Sequence, residues 1–346
     1  MLVRLALAAA ALTVLLPAAA QASSPSFVDR VVDTGAVKRV QATAAQNDQT
    51  LAIPTKEGYS VSVSFGSGVP VNQELAQSYV GFLDALPHGS ELDKLSMVIA
   101  DQAEVATLCG GDEGDGILAC YGSRGMQMIV PSSGLQTTTE DGGYTTAYVL
   151  THEYGHHIAA NRKNQGFQAI DYGPKFWASY ELVCDRALGN RLFPGDEGRS
   201  YLRNPGEAWA EAYARLTFPD QPWTFTSLLR PDATALDAAR RDVLTPWTKN
   251  ASRTFIMAGS RSTQSFGVPL TLDGRVSAVV RGRSGSDVGV TVTSGRQKVG
   301  HSDTRGARNQ WTLRSGCRER PTETLTFKVT RTSGGGPVTL LVSYPG

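Results

Sequence analysis

Residues 145–162 read Thr-Thr-Ala-Tyr-Val-Leu-Thr-His-Glu-Tyr-Gly-His-His-Ile-Ala-Ala-Asn-Arg. Within them His152-Glu153-Tyr154-Gly155-His156 spells H-E-x-x-H. Residues four apart on an α-helix sit one above the other, so His152 and His156 present their imidazoles to one point. Glu153 lies about 100° round from His152 and reaches a water held there without becoming a ligand itself. Two imidazoles at that spacing suit Zn²⁺, and the adjacent carboxylate suits a general base. The flanks support a helix: Tyr148, His152, Gly155, His156 and Ala159 share one face, Thr145 or Thr146 can cap its start, and the polar run 161–166 can end it. The plain alternative is a pair of packed histidines beside a solvated Glu153. Gly155 argues against it, because a helical glycine costs about 1 kcal/mol and makes sense where another segment must approach closely.

A second informative stretch is Tyr201-Leu-Arg-Asn-Pro-Gly-Glu-Ala-Trp-Ala-Glu-Ala-Tyr-Ala-Arg-Leu216. Asn204 can cap a helix, Pro205 suits its first turn, and alanines fill its interior. Glu207 and Glu211 are four apart on one face. Two carboxylates on a small apolar face are costly if buried without a partner, which a metal and its surroundings would provide. On the alternative reading they form an exposed acidic stripe.

The N-terminus reads as an export signal. Arg4 opens it, Leu5–Leu16 is apolar, and Ala20-Gln21-Ala22 is a small-residue cleavage site, so residues 1–22 are expected to be removed. The apolar run is short for a membrane span and is interrupted by Pro17. No later stretch reaches membrane length, so no integral membrane segment is expected, and the localisation expected is secreted. Removing residues 1–22 takes away Arg4 alone and leaves basic and acidic residues in balance. That balance argues against nucleic acid as a partner. Residues 23–52 are expected to be an N-terminal arm, a short pro-segment or an ordered lead-in strand. Four cysteines in an exported chain favour disulfides over a thiol nucleophile. Cys109–Cys120 would close a short loop, and Cys184–Cys317 would tie the two halves of the chain together.

A catalytic domain is expected over 53–250. Its predicted elements are strands at Tyr59–Phe65, Leu95–Ala100 and Met126–Val130, and helices over 73–86, 175–188 and 235–244. Asp112, Glu113 and Asp115 in the loop between Cys109 and Cys120 could bind Ca²⁺, but they lack EF-hand order and read more simply as a solvated acidic loop. From 251 to 346 the composition turns Thr-, Val-, Gly- and Ser-rich. Six short strands are predicted there (268–272, 276–281, 288–293, 311–313, 324–331 and 338–343), with Asp273-Gly274 as a hairpin turn between the first two. This region should be an all-β sandwich, with His301 solvated in a polar loop. The fold class expected is therefore α+β.

The H-E-x-x-H helix followed by a later Glu-bearing helix resembles the gluzincin zinc metallopeptidases over residues 145–216. The resemblance implies a zincin-like catalytic domain with His152 and His156 as imidazole ligands, Glu153 as catalytic base, Glu207 as third ligand and Glu211 behind the ligands. The metzincin extension is absent, since Ala159 and Arg162 occupy its positions. The gap of 51 residues from His156 to Glu207 is longer than in thermolysin-like members. Glu181, with Asp185 four residues on, is a rival third ligand, but its segment carries bulky Trp177 and Tyr180. The 126–130 strand would border the cleft and pair with an extended substrate. The C-terminal region resembles, in composition, the β-sandwich modules appended to secreted bacterial peptidases.

The activity these residues imply is zinc-dependent hydrolysis of peptide bonds in a protein or peptide substrate, by a monomer. Tyr201 is the candidate donor to the developing oxyanion, with Tyr172 and Tyr180 behind it. His157 points off the ligand face and is expected to pack or to lie at the surface. Two rivals are a secreted binding protein with a degenerate zincin domain, and a zinc amidase acting on non-protein amides.

Overall fold

The structure, a computed structural model, describes residues 50–112, 116–122, 126–137, 144–162, 174–196, 198–313 and 316–346. The export signal, most of the N-terminal arm, Glu113, Asp115 and Tyr172 lie outside the described residues. The chain is mixed α+β, with a helix-rich N-terminal part built on one sheet and a C-terminal part built from two.

The first sheet has the order β1-β2-β3-β5-β4, from β1 (Leu51–Pro54), β2 (Ser60–Phe65), β3 (Ser96–Ala100), β4 (Cys120–Gly122) and β5 (Gln127–Pro131). Strands β2, β3 and β5 run parallel, while β1 and β4 are antiparallel to their neighbours. Parallel strands are covered on both faces and read as continuous apolar runs, as Met97–Ala100 and Met128–Val130 do. On one face Val61, Val63, Met97, Ile99, Met128 and Val130 join the main core. On the other, Val98, Ala100 and Ile129 meet Val105 and Leu108 of α2 (Gln102–Leu108). Cys109 at the end of α2 is bonded to Cys120 of β4, so that face is also closed covalently. The expected substrate-pairing strand therefore needs correcting. Strand β5 lies between β3 and β4, and the edge on that side of the sheet is β4, which is too short to leave a periodic signal.

Helix α1 (Gln73–Leu83) is capped by Asn72, and α3 (Thr146–Ala160) by Thr145, whose hydroxyl accepts from the Tyr148 amide. Every residue of α3 from Thr146 to Ala159 is buried, which makes it a core helix rather than a surface one. Helix α6 (Pro205–Ala214) starts at Pro205, with the Asn204 side chain accepting from Gly206 N, and all ten of its residues are buried.

The single helix expected over 175–188 is broken in two, α4 (Lys175–Tyr180) and α5 (Val183–Leu188), with Leu182 left-handed at φ 50°. The C-terminal part docks at this break. Ser179 Oγ accepts from Asp273 N at 2.9 Å, and the Arg318 guanidinium donates to Ser179 O at 2.5 Å. A disulfide joins Cys184 to Cys317 across 133 residues. In the chain-entropy picture a loop of that length is worth about 5 kcal/mol.

Helix α7 (Ala233–Leu244), capped by Asp232, presents Asp242 to the start of α4. Its carboxylate accepts from Phe176 N at 3.0 Å and Trp177 N at 2.7 Å. Burial outweighs these bonds and raises the Asp242 carboxyl to about 7. The folded protein then binds this proton more tightly than the unfolded chain, whose aspartates titrate near 4. The stabilisation is complete below pH ~4 and is lost as pH rises through about 7. Relative to Asp242→Asn, wild-type unfolding free energy should fall by up to ~1.4 kcal/mol per pH unit across that window. Urea unfolding of both proteins at pH 4.5 to 7.5 checks this, and parallel curves would refute it.

The C-terminal part packs two four-stranded antiparallel sheets, β10-β9-β12-β7 and β11-β8-β13-β6, face to face. Their strands are β6 (Asn250–Met257), β7 (Thr263–Leu270), β8 (Val276–Arg281), β9 (Asp287–Ser294), β10 (Gln297–Ser302), β11 (Arg308–Leu313), β12 (Glu323–Ser333) and β13 (Val338–Pro345). Inward residues of both sheets form one core of Val268, Val280, Val292, Trp311, Phe327, Leu340 and their neighbours. Asp273-Gly274 is not a hairpin turn, because β7 and β8 belong to different sheets. Asp273 is instead fully buried, accepting from Arg318 N at 2.8 Å with Arg318 Nε at 3.3 Å. His301 lies on β10 rather than in a loop, and it is exposed. Among the described residues no helix is long and apolar enough to cross a membrane.

Candidate metal centre

Helices α3 and α6 cross with their backbones in contact. A Cβ at Gly155 would lie 2.8 Å from Ala210 Cα, so only glycine on one helix facing alanine on the other permits this approach. The crossing is fixed by a hydrogen bond from Trp209 Nε1 to Gly155 O at 2.8 Å. Glycine and the alanine-rich helix are thus two halves of one device.

The crossing brings Glu207 to the two histidines. Its Oε2 lies 3.5 Å from His152 Nε2 and 3.4 Å from His156 Nε2. In tetrahedral zinc sites with ligand bonds of about 2.0–2.1 Å, neighbouring ligand atoms are about 3.4 Å apart. The two spacings from Glu207 match that edge, and all three donor atoms lie within 4.8 Å of one another, a set able to hold a zinc ion. His152 and Glu207 are fully buried and His156 nearly so. Of the two rival carboxylates, only Glu207 belongs to the cluster. Glu181 is engaged by Arg186 at 3.2 Å, and burial raises its carboxyl to about 7. Asp185 pairs with Arg191 at 2.7 Å.

Around the three donors stands a ring of supporting groups. Glu211 Oε2 faces His152 Nδ1 at 3.5 Å and accepts a hydrogen bond from the Tyr148 hydroxyl. A carboxylate at Nδ1 favours the tautomer with its proton there, leaving the Nε2 lone pair turned towards Glu207. Burial, then the charge of Glu211, raises the Tyr148 pKa, so the phenol stays a donor. The Tyr201 hydroxyl donates to Glu207 Oε2 at 3.3 Å, from a 3₁₀ turn just before α6. Phe225 stacks on His152 with ring centroids 6.4 Å apart and planes 17° from parallel. Glu153 is fully buried beside His152 on α3.

Of the two places expected for His157, packed or at the surface, the structure shows the first. Its Nε2 lies 2.7 Å from Glu91 O and its Nδ1 3.0 Å from the Tyr121 hydroxyl, which ties α3 to edge strand β4. Burial lowers its pKa to about 4, so it is neutral at pH 7. Tyr180 bonds Asp232 through its hydroxyl at 2.7 Å, away from the cluster. Sequence reading missed the roles of Tyr148 and Phe225. Tyr148 carried a signal, one turn before His152 on the same face. Phe225 sits in an aperiodic segment and carried none.

No family model matches the chain, and no curated protein does. Solved structures overlap it in part. The pre-peptidase C-terminal domain of a Bacillus anthracis collagenase is 12% identical with a TM-score of 0.21, covering 27% of this chain and 89% of that one. PliG, a periplasmic inhibitor of g-type lysozyme from Aeromonas hydrophila, is 16% identical with a TM-score of 0.19, over 28% and 85%. Latent PorU from Porphyromonas gingivalis is 8% identical with a TM-score of 0.18, over 29% and 14%. Overlaps this weak carry no argument about function. The two disulfides and the lack of a spanning helix among the described residues are compatible with a secreted protein.

Proposed function

We propose that the protein is a secreted zinc-dependent peptidase with a zincin-like N-terminal domain of the gluzincin kind. The observation that carries this reading is one carboxylate oxygen of Glu207 standing 3.4–3.5 Å from the Nε2 atoms of both His152 and His156. Glu153 supports it, buried on the same helix one residue after the first ligand. Zn²⁺ bound by His152, His156 and Glu207 would supply the Lewis acidity that makes water a nucleophile near neutral pH.

The chain's own residues do the rest. Glu153 takes the proton of the attacking water and passes it to the leaving amine. Glu211 holds the His152 ring in its ligating tautomer, and Tyr148 holds Glu211. Tyr201 would donate to charge developing on the scissile carbonyl once its hydroxyl leaves Glu207. An extended substrate would add to the sheet along β4, the edge strand that His157 links to the ligand helix.

The test is metal analysis together with hydrolysis of casein. We expect one zinc bound at His152, His156 and Glu207, and cleavage that EDTA abolishes and added zinc restores. Protein that binds zinc but leaves casein intact while opening non-protein amides would overturn the peptidase reading. Protein that accepts no zinc would overturn it entirely.

A further inference from the structure

A second group of ligating side chains stands outside the centre above. The turn between β1 and β2 carries Glu57, the residue after α1 is Asp84, and His88 follows Pro87 four residues later. One ligand atom from each lies within 4.8 Å of the other two. The turn is held in place by Gly58 N donating to Thr55 O at 3.1 Å and by Lys56 N donating to Asp84 Oδ2 at 3.1 Å.

The surroundings of the His88 ring are the informative feature. Its Nδ1 lies 3.0 Å from Gly89 O. A carbonyl can only accept, and a neutral imidazole donates from one nitrogen only; with Nδ1 as the donor, Nε2 is left as a lone pair. Yet Nε2 faces Asp84 O at 3.2 Å, Glu57 Oε2 at 3.6 Å and Asp84 Oδ1 at 3.8 Å. All of its neighbours are acceptors. Asp84 Oδ1 has no hydrogen-bond partner, and the Asp84 side chain is only 3% exposed. Buried polar atoms without partners are uncommon and call for an explanation. A positive centre among these atoms would satisfy Nε2 and Oδ1 together.

We propose that Glu57, Asp84 and His88 bind a first-row divalent transition ion at a second site that shares no residue with the His152–His156–Glu207 centre. One imidazole with two carboxylates is a donor set such ions accept. The 3.6 and 3.8 Å spacings exceed the ~3.4 Å edge of a zinc tetrahedron only slightly. Glu57, whose side chain is 51% exposed, can rotate to close the difference and gives the ion its way in. The site lies at the C-terminal end of α1, where the helix dipole favours positive charge. The ion would pin the β1–β2 turn to α1, a structural role rather than a catalytic one.

The experiment is zinc stoichiometry of the full exported chain after chelator stripping and re-equilibration with Zn²⁺. Wild type is expected to hold two equivalents. Asp84→Asn, which keeps the side-chain volume, should hold one, as should His156→Gln, and the double variant none. Glu57→Gln sits on an exposed turn and cannot disturb the core, so it serves if Asp84→Asn misfolds. It should weaken the second zinc at least tenfold. Zinc should also raise the melting temperature of His156→Gln, and Glu57→Gln should cancel that rise. If Asp84→Asn and Glu57→Gln bind as much zinc as wild type, a proton on His88 is all that holds these groups together and the proposal fails. Failure of the His152 site to hold zinc would not affect this reading, because the zinc of the second site is counted alone in His156→Gln.

Discussion

Glu153→Gln is expected to keep its zinc and lose turnover by a factor of 10² to 10⁴, the span that positioned acid–base groups contribute. The substitution leaves the side chain its length and one acceptor oxygen, and replaces the other oxygen by an uncharged amide nitrogen that cannot take the proton. Neither His152, His156 nor Glu207 is touched, so the cluster, with Glu207 Oε2 at 3.5 and 3.4 Å from the two imidazoles, should be preserved. The loss should fall on kcat rather than KM, because proton transfer belongs to the transition state and not to substrate binding. Zinc content and steady-state cleavage of a peptide, measured on the same preparation, decide the matter. A variant with unimpaired kcat would remove Glu153 from the mechanism. One that lost its zinc would mean that the carboxylate supports the ligands instead.

The site was far more legible than its surroundings, for a physical reason. Helical geometry is local, so the spacing of His152 and His156 places both rings before anything else is known. Glu207 is distant in sequence, but the cost of burying a carboxylate among alanines marks its helix as one with an uncommon partner. The alternatives that failed were those that tertiary contacts overrode. Lys175–Leu188 has an unbroken helical pattern, yet Leu182 turns left-handed where Ser179 receives Asp273 and Arg318 from the sandwich. Asp273-Gly274 has hairpin chemistry, but its aspartate is consumed by Arg318 at the junction. Strands β6 and β10 were missed because they are largely exposed and polar, without the alternation that marks a half-buried strand. The Glu57–Asp84–His88 group spans a turn and a helix end, and no periodicity connects those positions.

The crossing of α3 and α6 makes a prediction in which the usual rule reverses sign. Replacing a helical glycine by alanine ordinarily stabilises by about 1 kcal/mol. Gly81 on α1 should behave so, because a Cβ there meets nothing within 4 Å. At Gly155 the new methyl would meet Ala210 Cα at 2.8 Å and Ala210 O at 3.3 Å, and backbone cannot rotate aside. The helices must part, at a cost of typically 1–3 kcal/mol for overpacking, which outweighs the gain in propensity. Ala210 lies one turn beyond Glu207 on the same helix, so parting the helices also draws the carboxylate from the imidazoles. Gly155→Ala should therefore lose stability and bind zinc at least tenfold more weakly, while Gly81→Ala gains stability and binds zinc unchanged. Urea unfolding and competition against a chromophoric chelator measure the two effects separately. If Gly155→Ala were as stable as wild type with undiminished zinc affinity, the close crossing could not be what sets the third ligand, and the metal centre would need another architecture.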